Sequence, residues 1–342
     1  MRDRARIKKW QLLRWRGREP IADLSDREFV AVGKRAFAGK KCLEEVTLPA
    51  SATAIKTEAF RACRMLGRVT LPSGGRVGIG MRVFSGCRAL LAVAPMEVVS
   101  AVGASAFRGC RSLESVSFGT ELKRIGEDAF RECIAIREIT LPPCLEQIGK
   151  GAFRDCTALE SVEIGAGISA LSPELLRGCT ALSEIVFCDT VCEIPRGMLR
   201  DCKALTEVNL PIGLQKIGAQ AFLGCTALEN VEINLGTKTI GAMAFFNTPK
   251  LRTVAIPHSV RRLGFGAFGL GRSEEKTELL VDTEYMLRRM RRLLLLCGSY
   301  GRVKVTLTGK SIEERKRERR RATLDQRPVH LTGDTDPKHD EE

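Results

Sequence analysis

Thirteen cysteines and three histidines carry the widest chemical repertoire in this chain, and their spacing decides how much of it is usable. Eight of the cysteines, Cys63, Cys87, Cys110, Cys133, Cys156, Cys179, Cys202 and Cys225, recur at intervals of 23 or 24 residues. Thiolate metal sites draw ligands in close pairs such as CxxC, because one loop then presents two sulfurs to one ion. No CxxC occurs here, and Cys188 and Cys192 in "CDTVC" are too sparse for a ligand set without other partners. Cysteine also packs as a small apolar residue. The eight are read as a structural ladder, with no metal and no cofactor expected. So many thiols without a pairing pattern suit a reducing compartment. His258 stands in "IPHSV", and His330 and His339 lie near the C-terminus. No serine or cysteine nucleophile has a histidine placed to activate it, and adjacency in sequence, as in His258-Ser259, does not do so. "GFGAFGLG" looks like a nucleotide loop but lacks the lysine that reaches phosphates. The chain is not expected to be an enzyme.

Charged residues recur with the same spacing. Arg61, Arg108, Arg131, Arg154, Arg177 and Arg200 form one row, and guanidinium groups in line suit phosphate oxygens. Glu45, Glu138, Glu163, Glu184, Glu207 and Glu232 stand on segments that alternate like strands. An acidic face of that kind suits a basic peptide or protein segment. Arg315, Lys316, Arg317, Arg319, Arg320 and Arg321 make a third cluster, suited to nucleic acid or anionic lipid. The formal charge of +14 is uneven: residues 1–20 hold eight Lys/Arg and two Asp/Glu, whereas residues 322–342 hold two and six. Such a total favours non-specific attraction to polyanions and is silent on fold.

What must position these residues is one recurring phrase, written most plainly as "IGEDAFRECIAIREITLP" from Ile125 to Pro142. Its phenylalanine, or a substitute, stands at Phe37, Phe60, Phe84, Phe107, Phe130, Phe153, Leu176, Leu199, Phe222, Phe245 and Phe268. Nine of the ten intervals are 23 residues and one is 24, the signature of a solenoid. Counted from this marker, cysteine comes at +3, a large aliphatic residue at +6, and an alternating pair such as Ile139/Leu141 at +9 and +11. Alternation at a period of two is what a strand with one buried face requires. Leu145 and Ile148 exemplify two further apolar positions, the second often followed by glycine, as at Gly126, Gly149, Gly218, Gly241 and Gly264. No rung can bury these side chains alone, so stacking supplies the missing surface. At ~4.8 Å per rung, eleven rungs extend about 50 Å. The segment "EDAFRECIAI" is predicted to be helical or a tight 3-10 turn. Leu176 and Leu199, smaller than phenylalanine, predict locally repacked rungs.

The pattern IG..AF..C..L..V.LP at this period resembles the BspA-type leucine-rich repeat of bacterial and protozoan proteins, over about residues 29–281. The expected fold is therefore an α/β solenoid. It is a curved leucine-rich-repeat superhelix with a short parallel strand per rung, short helical or 3-10 segments opposite, and caps at both ends. The family is known mainly for surface adhesins that bind host matrix proteins or other cells, so the resemblance also implies adhesion.

Around the solenoid of residues 29–281, the expected organisation is a basic flank and cap over 1–28, a cap helix and strand over 282–309, and a charged helix with an acidic disordered tail over 310–342. Residues 5–16 are predicted as a short basic helix, Ser25 with Glu28 as a capping box, Asp282 as the cap of a helix to Cys297, and residues 302–308 as a strand. No stretch approaches the ~20 apolar residues of a membrane-spanning helix. Charges stand where a signal peptide's apolar run would be. The expected location is the cytoplasm, with the nucleus as alternative, and the cell surface only if an unseen secretion signal precedes. The expected function is a monomeric, non-enzymatic protein-interaction module or scaffold using the strand face. The alternatives are nucleic-acid or anionic-lipid association through the basic flanks, and adhesion as the resemblance implies.

Overall fold

The computed structural model describes residues 5–8, 10–168, 170–269, 277–281, 283–296 and 303–307. Successive rungs lie directly on one another. Glu138–Thr140 pairs in parallel with Ser161–Glu163, and that strand with Glu184–Val186, each residue opposite the one 23 positions on. The inward member of each strand, such as Ile139, Val162 or Ile185, is buried while its neighbours face out.

A second column of two-residue strands runs through the rungs, which no alternation in the sequence revealed. Arg124–Ile125 pairs with Gln147–Ile148, within an eight-stranded sheet that begins at the N-terminus. Glu193–Ile194, Lys216–Ile217, Thr239–Ile240 and Arg262–Leu263 continue it as a separate sheet.

The expected helical segments opposite the strands do not form. Among the described residues there is one α-helix, Glu284–Leu296, and one 3-10 helix, Met96–Val98. The fold is a β-solenoid of mostly parallel strands with stacked turns, not an α/β solenoid with a helix per rung. Hydrogen bonding gives the reason. In the fifth rung the N–H groups of Asp128, Phe130 and Glu132 donate to Lys150, Ala152 and Arg154 of the next rung, while Arg131 and Cys133 donate locally to Asp128 and Phe130. Half of the donors thus leave the segment, and an α-helix would have to turn them back onto its own carbonyls. Left-handed residues two before and two after the marker, Asp128 (φ 52°) and Glu132 (φ 63°), enforce the alternation.

Marker side chains form the core. Phe37, Phe60, Phe84, Phe107, Phe130 and Phe153 stack with ring centroids 4.7–5.4 Å apart, and Phe222, Phe245 and Phe268 repeat the stack. Between the two runs, Leu176 and Leu199 are fully buried. Their preceding residues are Leu175 and Met198, where the neighbouring rungs carry Ala152 and Ala221, so the lost ring volume is refilled one position earlier.

Both ends are covered. The predicted basic helix over 5–16 is instead an antiparallel hairpin, Ala5–Lys8 with Gln11–Trp15, turning at Trp10 (φ 59°). Its second strand joins the sheet beside Ala31–Val32, and Trp15 stacks on Phe37 at 5.8 Å as a substitute rung. Pairing satisfies the backbone of the first rung's edge, which a helix would have left open. Ser25 opens no helix; its N–H donates to Asp23 Oδ1 at 3.0 Å. At the other end the helix is capped by Thr283, whose Oγ1 accepts from the Met286 N–H. It buries Met286, Leu287, Met290 and Leu294, beside the parallel strands Thr277–Val281 and Val303–Leu307.

Candidate functional site

The ladder cysteines are all buried and each has a defined acceptor. Cys110 Sγ donates to Phe84 O at 3.2 Å and Cys133 Sγ to Phe107 O at 3.1 Å; Cys63, Cys87, Cys156, Cys179, Cys202 and Cys225 do the same to the marker one rung back. The thiol thereby gives most of these marker carbonyls a second donor, as at Phe84, whose O also accepts from the Cys87 N–H. Burial raises these thiols, Cys63 to about 11 and Cys156 and Cys225 to about 12. Thiolate is the reactive form, so alkylation of the folded protein at pH 8 should label the exposed Cys42 and Cys192 first and the half-buried Cys144 and Cys188 more slowly. Intact mass should show the ladder adding label only after denaturation; early labelling of the eight would refute their placement. Cys297 lies outside the described residues. Among the described residues no group of three or more His, Cys, Asp or Glu is placed to hold a metal ion.

The row of arginines is neutralised within the stack. Arg131 reaches Asp128, Glu132 and Asp155 at 3.3–3.6 Å, and Arg154 reaches Asp155 and Glu174 at 3.3 and 3.0 Å. Arg61 pairs with Glu58, Arg108 with Glu132, Arg177 with Glu174 and Arg200 with Asp201. Each guanidinium is already matched to carboxylate, which leaves little of the row for phosphate.

Two carboxylates anchor this network. Glu58 is 5% exposed and meets Arg35 at 2.5 Å, Arg61 at 3.5 Å and Arg82 at 3.7 Å. The Arg35 hydrogen bond, helped by the charges of Arg35, Arg61 and Arg82, holds its carboxyl below the usual range against the opposing effect of burial. Burial would raise Glu174, but Lys150, Arg177 and Arg154 together hold it below its ordinary value. A depressed folded-state value contributes stability that is present above the unfolded value of ~4.3 and lost as pH falls through the folded one. Thermal melts from pH 7 to pH 3 should therefore fall steeply below about pH 4, and Glu58→Gln should lower the melting temperature at pH 7 while flattening that fall. An unchanged acid profile in the variant would exclude Glu58 from it.

The strand-face glutamates behave differently. Glu45 stands apart in the first rungs, opposite Arg68 in register. Glu138, Glu163, Glu184 and Glu207 are exposed on consecutive rungs and have no ion pair among the described residues. Glu232, one rung further, is also exposed. On the same stretch of rungs Val186 (49% exposed), which lies opposite Glu163, and Ile212 (77%) and Leu235 (40%), past the ends of their strands, leave apolar surface in water. Sequence reading missed this edge; the signal was Ile212 and Leu235 at the same rung position, 23 residues apart. Arg315, Lys316, Arg317, Arg319, Arg320 and Arg321 lie outside the described residues. No described helix is long and apolar enough to cross a membrane.

Comparison with known proteins places this architecture. No curated protein matches the chain. Among solved structures it is similar to a leucine-rich repeat protein from Bacteroides ovatus, with 22% identity, 87% of this chain and 94% of that one covered, and a TM-score of 0.47. It is similar to the pneumococcal vaccine antigen PcpA, with 16% identity, 88% and 92% covered, and a TM-score of 0.48. A leucine rich cell surface protein from Faecalibacterium prausnitzii shows 20% identity, 71% and 89% covered, and a TM-score of 0.36. The cytoplasmic or nuclear location expected from the sequence is not supported: of these similar structures, one is described as a cell surface protein and another as a vaccine antigen. The model of the BspA type leucine rich repeat region (6 copies) matches residues 30–158, 78–205 and 192–279. With stacked 23-residue rungs, a continuous marker core and a family match along nearly all of them, the chain belongs to the BspA type leucine-rich repeat family.

Proposed function

We propose that this non-enzymatic repeat scaffold binds a protein partner through the strand face of its fifth to ninth rungs, and that the segment it takes is basic and partly apolar. The observation that carries this reading is the run Glu138, Glu163, Glu184 and Glu207, exposed and without ion pairs among the described residues, on rungs that also expose Val186, Ile212 and Leu235. Carboxylates gathered on one face of the stack repel one another even though none is directly opposite another: Glu138 and Glu184 both lie across from Ser161. The same solenoid neutralises its arginines with carboxylates of adjacent rungs, so it has the means to avoid such a row. An extended basic segment would supply the missing charge, and the apolar edge would supply the contact that excludes water.

The test is a titration with a short fluorescent peptide alternating lysine and leucine. Joint Glu138→Gln, Glu184→Gln and Glu207→Gln substitution should weaken binding about tenfold or more, because three charge pairs are lost, while the melting temperature holds or rises. Equal affinity for both proteins would overturn the assignment of this face.

A further inference from the structure

The first four rungs carry a second charged column that the paired arginines obscure. Four residues after the marker stand Lys41, Arg64, Arg88 and Arg111, all exposed. None has an ion pair among the described residues. Hydrogen bonds tie these positions from rung to rung: the N–H of Ala89, next to Arg88, donates to Arg64 O, and further along the column Thr180 Oγ1 donates to Thr157 O one rung back. The later rungs place Ile134, Thr157, Thr180, Lys203 and Thr226 there, so the cationic run is confined to one end.

Its surroundings share the bias. Residues 33–42, 56–65, 80–89 and 103–112, the turn segments of these rungs, hold eleven Lys/Arg and a single acidic residue, Glu58, already held by three arginines. The corresponding segments of the next four rungs, 126–135, 149–158, 172–181 and 195–204, hold seven Lys/Arg and six Asp/Glu. Cations at rung spacing of ~4.8 Å repel one another. Where the fold needs only solubility, it interleaves carboxylates.

We propose that this column is a binding site for a linear sulfated polysaccharide, lying along the stack with successive anionic groups on successive rungs. The site is one-dimensional, with one cation on each successive rung, which suits a polymer rather than a single ion. Three of its four members are arginine, whose weakly hydrated fork takes two oxygens of one oxyanion. A sulfate ester is similarly weakly hydrated and keeps its charge at any physiological pH. Single-stranded nucleic acid is disfavoured because binding it calls for aromatic side chains on which bases stack, and Phe37, Phe60, Phe84 and Phe107 are all buried.

The experiment measures binding of the full chain to heparin, to an unsulfated polyuronate, to a single-stranded oligonucleotide and to phosphatidylserine vesicles. Heparin should bind most tightly and weaken as salt rises. Joint substitution of Lys41, Arg64, Arg88 and Arg111 by glutamine should weaken it by more than about tenfold and flatten the salt dependence, since the released counterions go with those charges. Lys203→Gln, in the same column outside the run, should leave it unchanged. The melting temperature of the quadruple variant should hold or rise, because no ion pair is removed. Undiminished heparin binding by the quadruple variant would overturn the site. Tighter binding of the polyuronate, the oligonucleotide or the vesicles than of heparin would overturn the ligand.

Discussion

Phe130→Ala should cost about 3–5 kcal/mol of folding free energy, the range for deleting a buried aromatic ring. Phe130 is fully buried and touches three rings: Phe107 at 4.9 Å, Phe153 at 5.3 Å and, edge-on, Phe118 at 5.7 Å. Each ring pair contributes ~0.5–1.5 kcal/mol beyond area burial. The rungs above and below are held by their own hydrogen bonds to this segment, so they cannot close over the cavity without giving those up. Stability in a stack is close to a sum of rung and neighbour terms. The loss should therefore appear as a weak point that divides the unfolding transition, with amide exchange accelerating first in the fourth to sixth rungs. Phe268→Ala, with one ring neighbour at 5.2 Å, should cost less. A loss below about 1 kcal/mol for Phe130→Ala, less than even one large core deletion normally gives, would mean that the ring column does not hold the rungs together.

That column was legible because a 23-residue period is visible to counting alone. The alternation of pairs such as Ile139 and Leu141 placed a strand at +9 to +11, and it forms one residue earlier, at +8 to +10. The turns were misread as helix because "EDAFRECIAI" has helix-forming residues, and propensity yields when tertiary hydrogen bonds claim the same donors. A signal was available. At eight of the ten described positions two after the marker stand Gly39, Gly86, Gly109, Asp155, Gly178, Asp201, Gly224 and Asn247, residue types that tolerate a left-handed backbone, with Ala62 and Glu132 the exceptions. The hairpin at the N-terminus was illegible for another reason: only two of the side chains in its second strand, Leu12 and Trp15, are buried, too few to set a period.

Charge status was hidden in the same way. The Arg154 and Glu174 partners are 20 residues apart, and Arg131 and Asp155 are 24 apart. Only the stacking register brings such pairs together, so a row of arginines read down one column looks uncompensated until its neighbours are placed. The reverse holds for Glu138, Glu163, Glu184 and Glu207, where Glu138 and Glu184 both meet Ser161 across the strands and Glu163 meets Thr140 and Val186, not lysines. A column is informative when it stays unmatched after the rungs are assembled.

Gly149→Val should be as damaging as the loss of a ring, though it adds atoms. A Cβ at Gly149 would fall 2.7 Å from Glu127 Cα and closer still to Glu127 N and Gly126 C. All three are backbone atoms of the rung before, so no side chain can swing aside. The Gly149 N–H also donates to Ile125 O at 2.8 Å, which fixes the separation that the new atom violates. Overpacking a core typically costs ~1–3 kcal/mol, and displacing backbone places this case at or above the upper end. The rung must tilt or its hydrogen bonds to Ile125 and the segment below must lengthen. Two comparisons isolate the cause. Gly109→Ala, where φ is +72° and the space is open, should cost only about 1 kcal/mol, the left-handed penalty alone. Ser172, one rung after Gly149 in the same column, already carries a side chain whose Oγ donates to Ile148 O at 2.6 Å, so Ser172→Ala should cost about 1 kcal/mol, the net worth of one hydrogen bond. If denaturant melts ranked Gly149→Val with these two rather than with Phe130→Ala, the rungs would not be in backbone contact at this edge, and the spacing that aligns every charged column would be wrong.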